Sequence, residues 1–442
     1  MNLRRIAQWL VRLEIPLLAF IYLYFVLFDT VPAVAWMGIA LVWLARWWMT
    51  GIVLPRTRLD LPIFLLVVML PVSLWVTIDI RASLPKVDGI LLGVIFFYAV
   101  VRQISTRRDL DSAMIWLVIV CIAIAFAGLI GTDWAQGKIL AASWVYDSLP
   151  RFIQGIPRSI AGGFNRNGVG GTLTLTIPLL ASIVASGEWR VARQSIITHH
   201  ASRLTRWFPI LVIVAFLFSL ATLALTQSRG GILGAAIGLL AVAIWRDRRW
   251  AWLVLVGVLG VLALVALGYG NTLVDFLLRM DAKSGTLASR IEVWQRGVMM
   301  VRDFPLTGIG IGTYNTVAHL MYPFFIAAPE EVVAHAHNNF LQVAVDFGIP
   351  GLLAWVGLLV GWLVGLVRGY RATNDLGVRA LLAGIGFGML AHQIFGLTDA
   401  FILGTKPGVL LWVYFALVIV IELKSGRGKA FDESFSQTGQ DA

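Results

Sequence analysis

The run AWLVLVGVLGVLALVALG at 251–268 carries no charged side chain, and Arg246, Arg248 and Arg249 stand just before it. A helix rises about 1.5 Å per residue, so this run nearly covers the ~30 Å hydrocarbon core of a bilayer. A single run of this kind would also suit a buried core helix, and the rest of the chain decides between the two. Of its 442 residues, 59% are apolar and 13% charged, about half the roughly 25% charge of soluble domains. Mean hydropathy is +0.84. So little charge cannot coat domains of ordinary size in water, which excludes a soluble globular protein. The 12% aromatic content excludes disorder. Cys121, the one cysteine, lies in an apolar run, so neither a disulfide framework nor a zinc-thiolate centre is possible.

Working outward from 251–268, similar runs recur near 13–29, 32–48, 61–79, 88–102, 111–130, 168–186, 207–226 and 231–245, then near 339–367, 378–397 and 407–423. The expectation is an all-α, polytopic integral membrane protein of about twelve transmembrane helices. Turns are expected at Asp29 to Pro32 and at Arg81 to Lys86. Nine spans and an outer loop near 131–167 fill residues 1–268, and a large, partly helical outer loop fills 269–338. Three spans follow over 339–423, and 424–442 forms a tail. The first apolar run is too long for a cleavable signal and lacks a small-residue cleavage site.

The net charge of +11 does not indicate nucleic acid, because the cations come in short groups between apolar runs rather than in a stripe. They alternate in the manner of membrane topology. Arg4, Arg5, Arg46, Arg58, Arg102, Arg107, Arg246, Arg368 and Lys424 fall on the side of both termini, which places the termini in the cytoplasm. The remaining cations gather in the two long outer loops, where chemistry is expected. Those loops are rich in Trp, Tyr, Phe and Pro and are expected to be ordered.

Four constellations stand out. Thr226 to Gly231 (TQSRGG) is a tight outer turn holding Arg229, read either as an interfacial arginine or as an anion binder held by Gly230 and Gly231. Ser289 to Arg296 (SRIEVWQR) has capping-box spacing at Ser289 and Glu292, which predicts a helix start. Ile291, Trp294, Val298 and Val301 form a stripe expected to rest on the membrane domain with Arg290 aimed inward and Arg296 solvated. Asp303 and Pro305 end this element, and Gly308 to Gly312 (GIGIG) reads as a flexible segment outside any nucleotide-binding context.

His335 to Gln342 (HAHNNFLQ) enters the next span, with Asn338 or Asn339 as N-cap, so both imidazoles sit at the positive end of a helix. That position favours a neutral imidazole, the form a general base needs. Capping alone and a metal site, with Glu330 or Glu331 as further ligand, are the alternatives. Gly162 to Gly168 (GGFNRNG) places Asn165 and Arg166 at the mouth of a span, suited to sugar or phosphate or merely to a turn. His392 reads as a packed intramembrane histidine, His199 and His200 as part of a basic cytoplasmic loop, and Asp109 with Asp111 as a solvated loop.

The order of Gly163-Phe164-Asn165, Ser228-Arg229-Gly230-Gly231, Arg290 to Trp294, Pro305 to Gly310 and His335 to Leu341, with Gly348 and Gly351, resembles the O-antigen ligase and polymerase superfamily over roughly 160–355. Arg166 stands where that family commonly has proline in Asn-Pro-Asn. The resemblance implies a GT-C-like, metal-independent glycosyltransferase of the bacterial inner membrane with no cofactor and a periplasmic active site. It would transfer O-antigen polysaccharide from undecaprenyl pyrophosphate to lipid A–core oligosaccharide. By the family pattern Arg229 and Arg290 hold the pyrophosphate and His337 is the catalytic base, supported by His335, Asn338, Asn165, Arg166 and Ser228. Partners would be the two lipid-linked glycans and membrane lipids, with no nucleic acid. A polymerase that joins lipid-linked glycans, and a flippase or transporter, remain as alternatives.

Overall fold

The computed structural model describes residues 3–132, 163–187, 203–270, 272, 287–326, 332–401 and 403–425. Among them the chain is helical, with a lone bridge between Thr132 and Phe164. The helices are α1 (Leu3–Arg12), α2 (Glu14–Phe28), α3 (Ala33–Thr50), α4 (Asp60–Val76), α5 (Ile80–Gln103), α6 (Arg107–Gly131), α7 (Arg166–Ser186) and α8 (Arg203–Thr226). They continue as α9 (Arg229–Arg246), α10 (Ala251–Ala266), α11 (Leu287–Asp303), α12 (Tyr314–Met321), α13 (Asn339–Ala372), α14 (Leu376–Phe395) and α15 (Val409–Ser425). Among the described residues, ten helices suffice by length and composition to cross a membrane, or eleven with α1 and α2 taken as one span bent by 47°. α4 is a shorter apolar helix. The expected runs all fall on helices. The outer loop near 131–167, the histidines at 199 and 200 and the acids at 330 and 331 lie largely or wholly outside the described residues.

Two local expectations are corrected. Arg81 to Lys86 do not form a turn but the first turns of α5, because Asp79 caps the amides of Arg81 and Ala82. Asp109 and Asp111 lie on α6 and not in a loop: Asp109 closes a capping box with Thr106, and Asp111 pairs with Arg107 at 3.0 Å.

At one end of the bundle the charges are matched. Arg46 and Arg102 both bind Glu14, Arg58 and Arg368 share Glu422, and Arg107 binds Asp375. These groups belong to the segments whose cations were expected to share a side. The opposite end is closed by loops and by helix N-termini, among them those of α5, α7, α9 and α13.

The helix α13 is broken at Gly348 (φ 68°, ψ −169°), ahead of Pro350. The break frees the Val345 carbonyl and the Ile349 amide, which an unbroken helix would pair. The segment after α11 takes both, with Ile309 N donating to Val345 O at 2.9 Å and Ile349 N to Pro305 O at 2.7 Å. Backbones meet so closely that a Cβ on Gly308 would lie 2.5 Å from Asp346 C, and one on Gly348 would lie 2.6 Å from Pro305 O. Ile311 then receives a hydrogen bond from Ser83 Oγ and donates one to Ser73 Oγ. Gly308 to Gly312 is therefore not a flexible segment but a wedge fixed between α4, α5 and α13. Its glycines allow backbone-to-backbone contact and positive φ.

Candidate active site

Asn338 is extended and caps α13, its side chain accepting from the Phe340 and Leu341 amides at 3.0 Å. Gln342 does not box with Asn339. Its Oε1 accepts from Ala336 N at 2.6 Å and its Nε2 donates to buried Asp346 at 2.9 Å. This ties the residue between the two histidines to the spanning helix. His337 adopts φ +48°, a left-handed conformation that His tolerates better than most residues, and Trp294 of α11 donates to its carbonyl at 3.3 Å. The rings of His335 and His337 converge edge to face with centroids 4.4 Å apart. A wholly extended backbone is not needed, because the left-handed turn brings them together.

Between the rings stands Asp399, in the turn after α14. His337 Nδ1 lies 3.3 Å from Asp399 Oδ1 and His335 Nε2 lies 3.5 Å from the same oxygen. The turn is pinned to the histidine segment, since Asn339 accepts from Phe401 N and Asn338 donates to Leu397 O. Burial alone would raise the Asp399 carboxyl, but the hydrogen bond from His337 and the two imidazoles outweigh it and hold its pKa below the usual value. Burial, with His337 and Arg290 adding to it against Asp399, pushes His335 down to about 4. His335 is neutral near pH 7.

The tautomers follow from the donors. His337 N donates to His335 Nδ1 at 3.3 Å, so the neutral His335 ring carries its proton on Nε2, directed towards Asp399. His337 donates a hydrogen bond from Nδ1–H to Asp399, which leaves Nε2 as the basic atom. The two imidazoles and the carboxylate have ligand atoms within 4.8 Å of one another, a set that could hold a divalent ion. A metal on His335 Nε2 would move that ring's proton to Nδ1 and break the bond from His337 N. The observed donors fit a hydrogen-bonded dyad better than a metal cage.

Arg290 lies half-buried on α11, and its charge adds to the lowering of His335. The rest of that helix departs in part from expectation: Trp294 and Val301 turn inward, but the other two residues of the stripe do not. α11 begins at Leu287, so Ser289 lies inside it, and its buried face holds Glu292, Val293, Gly297 and Met300, while Ile291 and Val298 are exposed. Arg296 is not solvated: its side chain is 14% exposed and pairs with Glu292. Glu292 also accepts the Phe325 and Ile326 amides, which is why both charges turn inward.

The other expected residues gather on neighbouring helix ends. Asn165 caps α7 through the Asn167 and Gly168 amides, and Arg166 is the first residue of that helix. Ser228 caps α9 through Gly231 N at 3.2 Å, and Arg229 is that helix's first residue. Gly170 lies against Ser228, and Gly230 against Thr398, the neighbour of Asp399. Through Gly230 the start of α9 packs on the Thr398 side chain in the Asp399 turn, and through Gly170 α7 packs on Ser228. His392 is fully buried, with Nδ1 donating to Gly171 O at 3.1 Å, as a packed histidine should.

Sequence reading missed Asp399 and Trp294 as partners of His337. The one local signal for Asp399 is an acid just beyond a span on the outer side. No motif links it to residues 62 positions earlier.

Residues 213–356 match the family described as O-antigen ligase. Over 172 residues the chain is 27% identical to the exopolysaccharide production protein ExoQ of Rhizobium meliloti (strain 1021), a match spanning 38% of this chain and 38% of that protein. The family segment contains Arg229, Arg290, His335 and His337, while Asp399 and Asn165 lie outside it. The segment 213–356 is thus similar to the O-antigen ligase family, the family its motifs resemble.

Proposed function

We propose that the protein is an inverting, metal-independent glycosyltransferase acting on lipid-linked glycans at the periplasmic face of the bacterial inner membrane, with both termini cytoplasmic. The observation that carries this reading is the His337–Asp399 dyad beside His335 and Arg290 at the end of the bundle opposite the ion-paired one. Asp399 accepts a hydrogen bond from His337 Nδ1–H and stabilises the imidazolium that forms, as a carboxylate does for a catalytic histidine. His337 Nε2 takes the proton of an acceptor hydroxyl, and the hydroxyl oxygen attacks the anomeric carbon. The bond from that carbon to the pyrophosphate breaks, its electron pair leaving with the phosphate. Arg229 and Arg290 meet the developing charge with planar, bidentate donors, and the N-termini of α7, α9 and α13 add positive potential. A single displacement inverts the anomeric centre.

The donor is undecaprenyl-pyrophosphate-linked polysaccharide and the acceptor lipid A–core oligosaccharide, making the protein an O-antigen ligase. The likeness to a protein named for exopolysaccharide production favours a second reading, in which the acceptor is another lipid-linked glycan. Reconstitution with a purified lipid-linked glycan and each acceptor in turn, with and without a strong chelator, separates these readings. Lipid A–core product that persists in chelator supports the ligase, and elongated lipid-linked glycan supports the polymerase. Absence of both products overturns transfer and favours transport, and loss of product on chelation overturns the metal-free mechanism.

A further inference from the structure

We propose that the outward face of α11, continued by Phe325 and Ile326, lies in the lipid headgroup and acyl boundary of the outer leaflet, so that the loop carrying Arg290 rides on the bilayer. Helices that face water put charge outside and apolar residues inside. α11 departs from this, burying Glu292 and Arg296 beside Val293 and Met300 while Ile291, Val298 and Met299 are 41%, 57% and 44% exposed. Leu306, Phe325 and Ile326 are 70%, 81% and 60% exposed. These side chains form one surface. The Arg296 guanidinium lies 5.4 Å from the centre of the Phe325 ring and its Nη1 lies 3.7 Å from Met299 Sδ, which joins the helix to the Phe325 turn.

Continuity with the spanning helices identifies the occupant. Pro305 O accepts from Ile349 N, so Leu306 stands beside α13 where Ile349 and Leu353 are 44% and 61% exposed. From Ile349 to Arg368 that helix rises about 29 Å, close to the ~30 Å hydrocarbon thickness. Leu306 is then level with the hydrocarbon edge and α11 lies just beyond it, at the depth of interfacial amphipathic helices. Arg302, exposed on the same face, suits that depth by reaching for headgroups.

The only native cysteine, Cys121, is buried, so single labels can be placed cleanly. Val298→Cys, Leu306→Cys and Phe325→Cys would each carry a nitroxide in the full chain reconstituted in nanodiscs of phosphatidylethanolamine and phosphatidylglycerol. Leu353→Cys serves as the lipid reference and Asp247→Cys as the aqueous one. Relaxation by oxygen that exceeds relaxation by a water-soluble nickel chelate, as at Leu353→Cys, is the expected result at all three positions. Relaxation dominated by the nickel chelate, as at Asp247→Cys, overturns the proposal in favour of a water-facing surface. Protection from both reagents overturns it in favour of a protein partner. Met299→Cys replaces any variant that does not elute as a folded species.

Discussion

The two ends of the bundle handle charge in opposite ways. At one end two carboxylates are each held by a pair of arginines: Glu14, 2% exposed, lies between Arg46 and Arg102, and Glu422 between Arg58 and Arg368. Such pairs fasten helices together. At the other end one carboxylate, Asp399, is shared by two imidazoles, with Arg290 within electrostatic reach and three helix N-termini nearby. Imidazole is the group that can give or take a proton near neutrality. One end holds the fold, and the other is arranged to move a proton and meet an anion.

The sharpest break of this comparison is functional. His337→Ala or Arg290→Ala should lower glycan transfer by about three orders of magnitude or more, with an unchanged melting temperature in detergent. Full transfer by either variant would remove that residue from the mechanism. Glu14→Gln tests the other end. It leaves two arginines facing a neutral amide in a buried site, so a loss of about 3 kcal/mol in stability is expected, read by chemical denaturation, with transfer per folded molecule preserved. A fall in turnover without a fall in stability would mean that the ends are not separate in function.

Asp399→Asn keeps the shape of the turn but cannot stabilise an imidazolium. Transfer should drop about a hundredfold while the protein stays folded, and a near-normal rate would reduce Asp399 to a packing residue. The smallest effect concerns pH. Burial holds His335 near 4, against about 6.5 in an unfolded chain. Between those values the unfolded chain binds the extra proton, so the contribution of neutral His335 is complete above about pH 6.5 and is lost as pH falls towards 4. Asp399, whose pKa is held down, keeps its contribution until the pH drops below about 4. The slope of melting temperature between pH 6.5 and 4 should flatten in His335→Gln, and an unchanged slope would count against a buried neutral imidazole.

Much of this was legible in the residues. The apolar runs fall on helices among the described residues, and Asn338, one of two caps the residues offered, caps α13, whereas the cap that Ser228 supplies was read only as a turn. The reading failed where long-range packing overrides a local rule. The run at 339–367 looked continuous, yet Gly348 breaks α13 because a wedge from another loop takes the freed backbone groups. The helical projection of α11 put Ile291, Trp294, Val298 and Val301 on one inward stripe, yet only Trp294 and Val301 turn inward while Ile291 and Val298 are exposed. Phe325 and Ile326 amides needing an acceptor drew Glu292 inward instead. Asp399 had no motif, since its partners come from a different span.

By itself the sequence determined that this chain is a many-span membrane protein. Hydrophobic transfer and helix length act residue by residue and need no knowledge of neighbours. Only the tertiary structure decided which carboxylate meets His337, which tautomers result, and that the Gly308 to Gly312 wedge locks the loop. Those depend on helices approaching closely enough for one side chain to reach another, as where Gly170 meets Ser228 and Gly230 meets Thr398.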